Sequence, residues 1–320
     1  MGEISKILNN TKSIVSRHKI ATHVLLAIYG AVLAFIIAGL IFNFSIGAAV
    51  FFGLSFALLI FALSQCFLEI GTRGAVIFLV VSSSIGYVAE VIGTNFGLPF
   101  GKYYYTDFLG SKVLGVPIVV PLVWFVIAYL TFSLSFPMVG ESLSGNNSAR
   151  KLDLRKIVLL CALAAFGSVA WDLMIDPMFT AYGYWVWGTQ LFPSPEISGI
   201  PLTNFLGWFI VVFLMLFTIV HLTFVRARSE SSTPAYSSST SSSAFWKRRR
   251  NTLDSRIAYV LLLLDGVVAN LSLHHILVVV LGASAMLLFL AITYSLERKF
   301  ATIGRGEVEE EQKVRADQRL

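Results

Sequence analysis

Residues 74–125 read "GAVIFLVVSSSIGYVAEVIGTNFGLPFGKYYYTDFLGSKVLGVPIVVPLVWF". The stretch opens on an apolar run at 74–92, long enough to cross a hydrocarbon core about 30 Å thick. One acid, Glu90, interrupts that run near its end. A loop rich in Gly, Pro and Tyr follows, and a second apolar run begins at Val116. Backbone in lipid must hydrogen-bond to itself, so two such runs joined by a loop describe a helical hairpin through a membrane.

The same pattern extends outward in both directions. Apolar runs fall at 21–42, 45–68, 74–92, 116–138, 156–178, 202–225, 256–273 and 275–296. The composition agrees, with 56% hydrophobic and 13% charged residues, where a soluble domain carries about 25% charged. The expected fold is an all-α integral membrane protein of about eight transmembrane helices. The polar segment 1–20 is too long for a cleaved leader. Cys66 and Cys161 lie inside apolar runs without metal-ligand spacing and read as small packing residues.

Basic residues set the expected orientation. With residues 1–20 in the cytoplasm, every Lys and Arg except Lys102 and Lys112 falls on the inner side, as the positive-inside rule requires. The net charge of +6 is therefore a topology signal and not a nucleic-acid footprint. Both termini are expected in the cytoplasm and the chain in the cell membrane. The domains read as a cytoplasmic segment at 1–20 and a six-helix catalytic core at 21–225. A Ser-rich basic linker at 226–255, a terminal helix pair at 256–296 and a charged tail at 297–320 complete the chain. The linker's "SESSTPAYSSSTSSSA" and the following "KRRR" suit a flexible loop with a topology anchor, and membrane lipid is the expected neighbour.

An internal repeat lies within the core. Glu90 precedes "GKYYY" at Gly101 by the same 11 residues that separate Asp172 from "GYWVW" at Gly183. Gly115-Val-Pro then matches Gly199-Ile-Pro, and Trp124-Phe125 matches Trp208-Phe209. Helices 3–4 and 5–6 are expected to form parallel repeats of about 84 residues, related by an axis along the membrane normal. Such an axis brings Glu90 and Asp172 together near one bilayer face. Asp176 lies one turn from Asp172, and Asn204 opens the next span at the same level.

Each feature also has a purely structural reading. An acid in a membrane helix costs roughly 2.5–3.5 kcal/mol and can serve as a hydrogen-bonding pin between helices. Tyr and Trp form interfacial belts in many membrane proteins. Glu69 and Arg73, spaced i,i+4 at a helix end, are expected to form a surface ion pair. Asp265 and Asn270 read as either helix–helix contacts or further functional groups. His274 and His275 have no acidic neighbour, so no metal site is expected, and no motif calls for a cofactor.

Acids grouped with aromatic rings suit one chemistry in particular. A carboxylic acid held in low dielectric keeps its proton near neutrality, and ring faces stabilise a nearby cation. A site of that kind, open sideways to lipid, suits protonation of a polyisoprenoid alkene. The candidate catalytic groups are Glu90, Asp172 and Asp176. Tyr103, Tyr105, Trp124, Trp185, Trp187, Asn204 and Trp208 are the expected substrate-binding residues.

The stretches "GYVAEVIGTNFGLPFGKYYYTDFLGSKVLGVPIVVPLVW" (86–124), "WDLMIDPMFTAYGYWVWG" (171–188) and "GIPLTNFLGW" (199–208) resemble the membrane carotenoid hydratases. That family includes the archaeal bisanhydrobacterioruberin hydratases. The resemblance covers about residues 25–225. It implies a hydro-lyase of carotenoid biosynthesis that adds water, without cofactor, to the terminal double bond of an acyclic carotenoid end. It also implies a lipophilic substrate and neighbouring membrane enzymes of the same pathway. Membrane lycopene cyclases are the nearest rival, but acids follow their Gly-x-Pro turn. Here the turns continue Pro117-Ile118-Val119-Val120 and Pro201-Leu202-Thr203-Asn204. A proton-coupled transporter is the remaining alternative, with acids expected at the midplane.

Overall fold

The computed structural model describes residues 2–42, 48–137, 154–190, 194–231 and 252–317. Its helices are α1 (Gly2–Phe42), α2 (Ala48–Phe96), α3 (Val120–Ser135), α4 (Leu154–Ala181), α5 (Leu202–Ser231), α6 (Thr252–Ser272) and α7 (Ile276–Asp317). Residues 138–153 and the Ser-rich stretch 232–251 lie outside the described residues. At its edges the expected linker is helical, since α5 continues to Ser231 and α6 opens at Thr252. The tail is helical to Asp317.

Among the described residues, five helical stretches are long and apolar enough to cross a membrane: Ile20–Gly39, Gly53–Phe96, Leu154–Ala181, Leu202–Thr223 and Ile276–Lys299. Val120–Ser135 is apolar but shorter. Helix α6 falls outside this set and carries Asp254, Arg256 and Asp265. On α5, Leu206, Ile210 and Leu214 are exposed while Val211, Val212, Met215 and Leu216 are buried. A helix apolar on every side has no face to offer water. The chain is a multi-pass, mostly helical membrane protein.

Helix α2 departs from a simple rod. Its 44-residue apolar stretch would be about 66 Å long if straight, twice a hydrocarbon core. Gly71, at φ 72 and ψ 171, interrupts the helix between the two expected spans. That backbone conformation is open to glycine and strained for other residues. Glu69 is not a surface group as expected: it is buried and accepts from Tyr129 Oη at 2.9 Å and Ser133 Oγ at 3.2 Å.

The segments between helices are not plain loops. Strand β1 (Tyr103–Tyr105) pairs antiparallel with β4 (Trp185–Trp187), with Tyr103 opposite Trp187, Tyr104 opposite Val186 and Tyr105 opposite Trp185. Two small hairpins complete the layer, β2 (Lys112–Val113) with β3 (Val116–Pro117) and β5 (Glu196–Ile197) with β6 (Ile200–Pro201). Their turns match: Leu114 and Ser198 both have φ 51, followed by Gly115 at φ 83 and Gly199 at φ 81.

The core lies where α2, α3 and α4 meet. Phe78 packs against Phe125, Tyr129 and Phe132, and Cys66 and Cys161 are buried there as small packing residues. Close approach depends on glycine at Gly86, where a Cβ would sit 2.4 Å from the Trp124 ring. The terminal helices α6 and α7 are part of this body. Tyr259 Oη donates to the Gly167 carbonyl at 2.6 Å, and the Phe289 ring covers the same glycine. Asn270 Nδ2 donates to the Met174 carbonyl at 2.9 Å, a helix–helix contact.

Candidate active site

Three carboxylates come to one end of the bundle because each lies within three turns of a helix terminus. Glu90 is near the end of α2, and Asp172 and Asp176 are near the end of α4. All three are buried. Strands β1 and β4 lie across them. Alternation along β1 turns Tyr103 and Tyr105 inward and leaves Tyr104 exposed.

The inward side chains end in donors, and those donors meet the carboxylates. Glu90 Oε2 accepts from Tyr103 Oη in a short hydrogen bond and from Tyr105 Oη at 2.8 Å. Glu90 Oε1 accepts from Trp124 Nε1 at 2.9 Å. Asn204 Nδ2 bridges the aspartates, donating to Asp172 Oδ2 at 2.8 Å and Asp176 Oδ2 at 2.6 Å. Asp176 Oδ1 accepts from Trp185 Nε1 at 2.7 Å and Thr180 Oγ1 at 3.3 Å.

Electrostatics keep the tyrosines as donors. Burial, and then the neighbouring Glu90 charge, push both phenols well above the ordinary tyrosine range. Outside the cavity, exposed Asp107 is held below the usual carboxylate range by its hydrogen bond from Lys112. Lys112 Nζ also donates to the Tyr105 carbonyl at 2.9 Å, tying the outer hairpin to β1.

A cavity of about 40 Å³ lies among these groups, lined by Glu90, Asp172 and Asp176 together with Asn204 and aromatic rings. Of the residues expected from the sequence, Tyr103, Tyr105, Trp185, Trp187 and Trp208 line it. Trp124 stands behind the lining, bonded to Glu90 and stacked on Trp208 with centroids 4.0 Å apart. Phe100 is a lining residue that the sequence reading missed. It fits between Gly93 and Gly207, where a Cβ would come within 2.9 and 2.7 Å of its ring. The glycines flanking "LPF" in space are far apart in sequence, so only the Pro-Phe itself could have pointed to it. Asp265 is not on this lining.

Interfacial belt residues rest their polar tips among headgroups. Tyr103 and Tyr105 are instead buried with their hydroxyls on a carboxylate. The donor-rich carboxylate cluster defines a class, a membrane protein with a polar reaction-type pocket roofed by aromatics. Comparison with known proteins gives the family. The family described as "Carotenoid biosynthesis protein" matches residues 47–294, and the chain belongs to it. The matched range takes in the terminal helix pair. A bisanhydrobacterioruberin hydratase of Haloarcula japonica is 31% identical over 137 residues, 42% of this chain. The match spans 41% of that relative's length. No solved structure matches.

Proposed function

We propose that this chain is a carotenoid hydratase, adding water without a cofactor to the terminal C=C of an acyclic carotenoid end. Bisanhydrobacterioruberin, the compound in the relative's name, is the first substrate to test. The observation that carries the reading is the cavity itself: three carboxylates around about 40 Å³. A space of this size and polarity holds water. The end group approaches along the ring lining, with Phe100 its apolar member between Gly93 and Gly207.

Hydrogen-bond counts divide the roles. Glu90 accepts from three side-chain donors, and Asp176 from three with Asn204 counted, whereas Asp172 accepts from Asn204 alone among the described residues. A carboxyl oxygen free of donors can carry the proton to be given away, and Asp172 Oδ1 is that atom. Proton transfer from Asp172 to the less substituted alkene carbon leaves a tertiary cation facing Trp208 and Phe100. Water adds to the cation, and Asp176 or Glu90 takes the proton released. Asn204 holds the two aspartates side by side through one amide.

The fold reading that goes with this function has eight crossings, with α2 divided at Gly71, and repeats formed by the second half of α2 with α3 and by α4 with α5. The antiparallel pairing of β1 with β4 about Tyr104 and Val186, the matched hairpins and the Trp124–Trp208 stack support a two-fold relation. In this arrangement the chain sits in the cell membrane with both termini and the 226–255 linker in the cytoplasm. Residues 21–225 form the catalytic core, and lipid and other pathway enzymes are its neighbours.

Expression in a host that makes acyclic carotenoids tests the reading. A product heavier by one or two waters supports hydration. An isomer of unchanged mass supports cyclisation, and unchanged pigment leaves neither. The transporter alternative is disfavoured by depth, because the acids lie at helix ends beside the strands rather than mid-helix.

A further inference from the structure

Four inward aromatic side chains of β1 and β4 carry a polar hydrogen: Tyr103, Tyr105, Trp185 and Trp187. Three of those hydrogens are committed to carboxylates, two to Glu90 and one to Asp176. The fourth is not. Trp187 Nε1 is buried and has no hydrogen-bond partner among the described residues. It lies beside the Asp176 carboxylate but outside hydrogen-bonding geometry with it. Trp187 and Asp176 both line the cavity. An unmet buried donor is unfavourable. A buried donor without a partner and a carboxylate on the lining of one cavity are a usual setting for a bridging water.

Resting on the hydratase reading, we propose that Trp187 is the positioning residue for the reacting water. Its indole N–H donates to the water oxygen, and the water donates one hydrogen to Asp176. That leaves an oxygen lone pair directed into the cavity. When the alkene π pair takes a proton from the acid, the lone pair forms the C–O bond at the tertiary cation. The water's proton then passes to the carboxylate it already touches. No electrons are gained or lost overall. Without the Trp187 N–H the acid still protonates the alkene, but the cation finds no placed water. It returns a proton to a carboxylate and re-forms the alkene.

This separates two events that a simple activity assay merges. Membranes carrying the full chain are supplied with bisanhydrobacterioruberin in D₂O. Hydrated product and deuterium in the recovered alkene are both measured by mass. Trp187→Phe removes the N–H and keeps an aromatic ring. A second variant carries benzothienylalanine at 187, which replaces N–H by sulfur and preserves the ring's shape, so packing is held. The expected result in both is hydration reduced at least about tenfold with deuterium exchange into the alkene retained or increased. Hydration at the wild-type rate in either variant overturns the proposal. Equal loss of hydration and exchange in the benzothienyl variant assigns Trp187 a structural role and also overturns it. If wild-type membranes neither hydrate nor exchange, the hydratase reading itself has failed, and the role of Trp187 falls with it.

Discussion

Trp124 and Trp208 stack face to face, centroids 4.0 Å apart and planes 19° from parallel. One donates to Glu90, and the other lines the cavity beside the aspartates. The contact links the Glu90 half of the site to the Asp172 half through two rings in matching positions of the chain. Aromatic pairs of this kind are worth about 0.5–1.5 kcal/mol beyond the area they bury.

Asp172→Asn and Glu90→Gln are expected to lower hydration about 10²–10⁴-fold, the usual worth of a positioned acid or base. Both amides keep size and polarity, so the protein should still insert. Glu196→Gln is a suitable control, because Glu196 is exposed on β5. Glu69 is not, since it is buried against Tyr129 and Ser133. Product and protein yield are read in the same membranes, and near wild-type product in both variants would make the carboxylates structural.

Gly207→Ala tests the ring seam. A Cβ there meets Phe100 at 2.7 Å and the Pro99 backbone at 3.1 Å. Relieving it must push Phe100 into the cavity or move the 97–101 turn, at a cost of about 1–3 kcal/mol. Thermal unfolding in detergent should show the loss. Paired Phe100→Ala should recover part of it.

The meeting of the acids was legible because two carboxylates stand at one offset from two aromatic motifs. The lining rings were legible from the matched motifs at Gly101 and Gly183, but the strand alternation that puts Tyr103, Tyr105, Trp185 and Trp187 on one side was not, because the segments read as loops. Phe100 was hidden because its place depends on Gly93 and Gly207, two glycines from different helices. Glu69 was misplaced because no local pattern shows Tyr129 and Ser133 of α3 closing over it. The docking of α6 and α7 was hidden too. Tyr259 reaches Gly167 across more than ninety residues, and no local pattern records such a contact.

High pH should act on the two buried tyrosines in a defined sense. Their folded pKa values are raised, so the unfolded chain releases these protons first. Stability from this source is intact below about pH 10, the unfolded tyrosine value, and declines as pH rises beyond it. Tyrosinate absorbance checks the assignment. A Tyr103→Phe/Tyr105→Phe protein should show the same absorbance rise near pH 10 as the wild type, because neither phenol contributes to it while the protein is folded.

External labelling of single cysteines tests the proposed orientation. Positions in the 102–115 and 188–199 segments should react in intact cells, and positions in the 232–251 stretch should react only after lysis. Labelling of 232–251 from outside would reverse the topology.

The central claim is that these carboxylates add water to a carotenoid end, and pigment mass measures it most directly. Wild type and Asp172→Asn are expressed in a host accumulating acyclic carotenoid, and extracts are compared at equal protein yield. The account predicts pigment heavier by one or two waters with the wild type and unaltered pigment with the variant. Wild-type pigment of unchanged mass, or full hydration by Asp172→Asn, would contradict it.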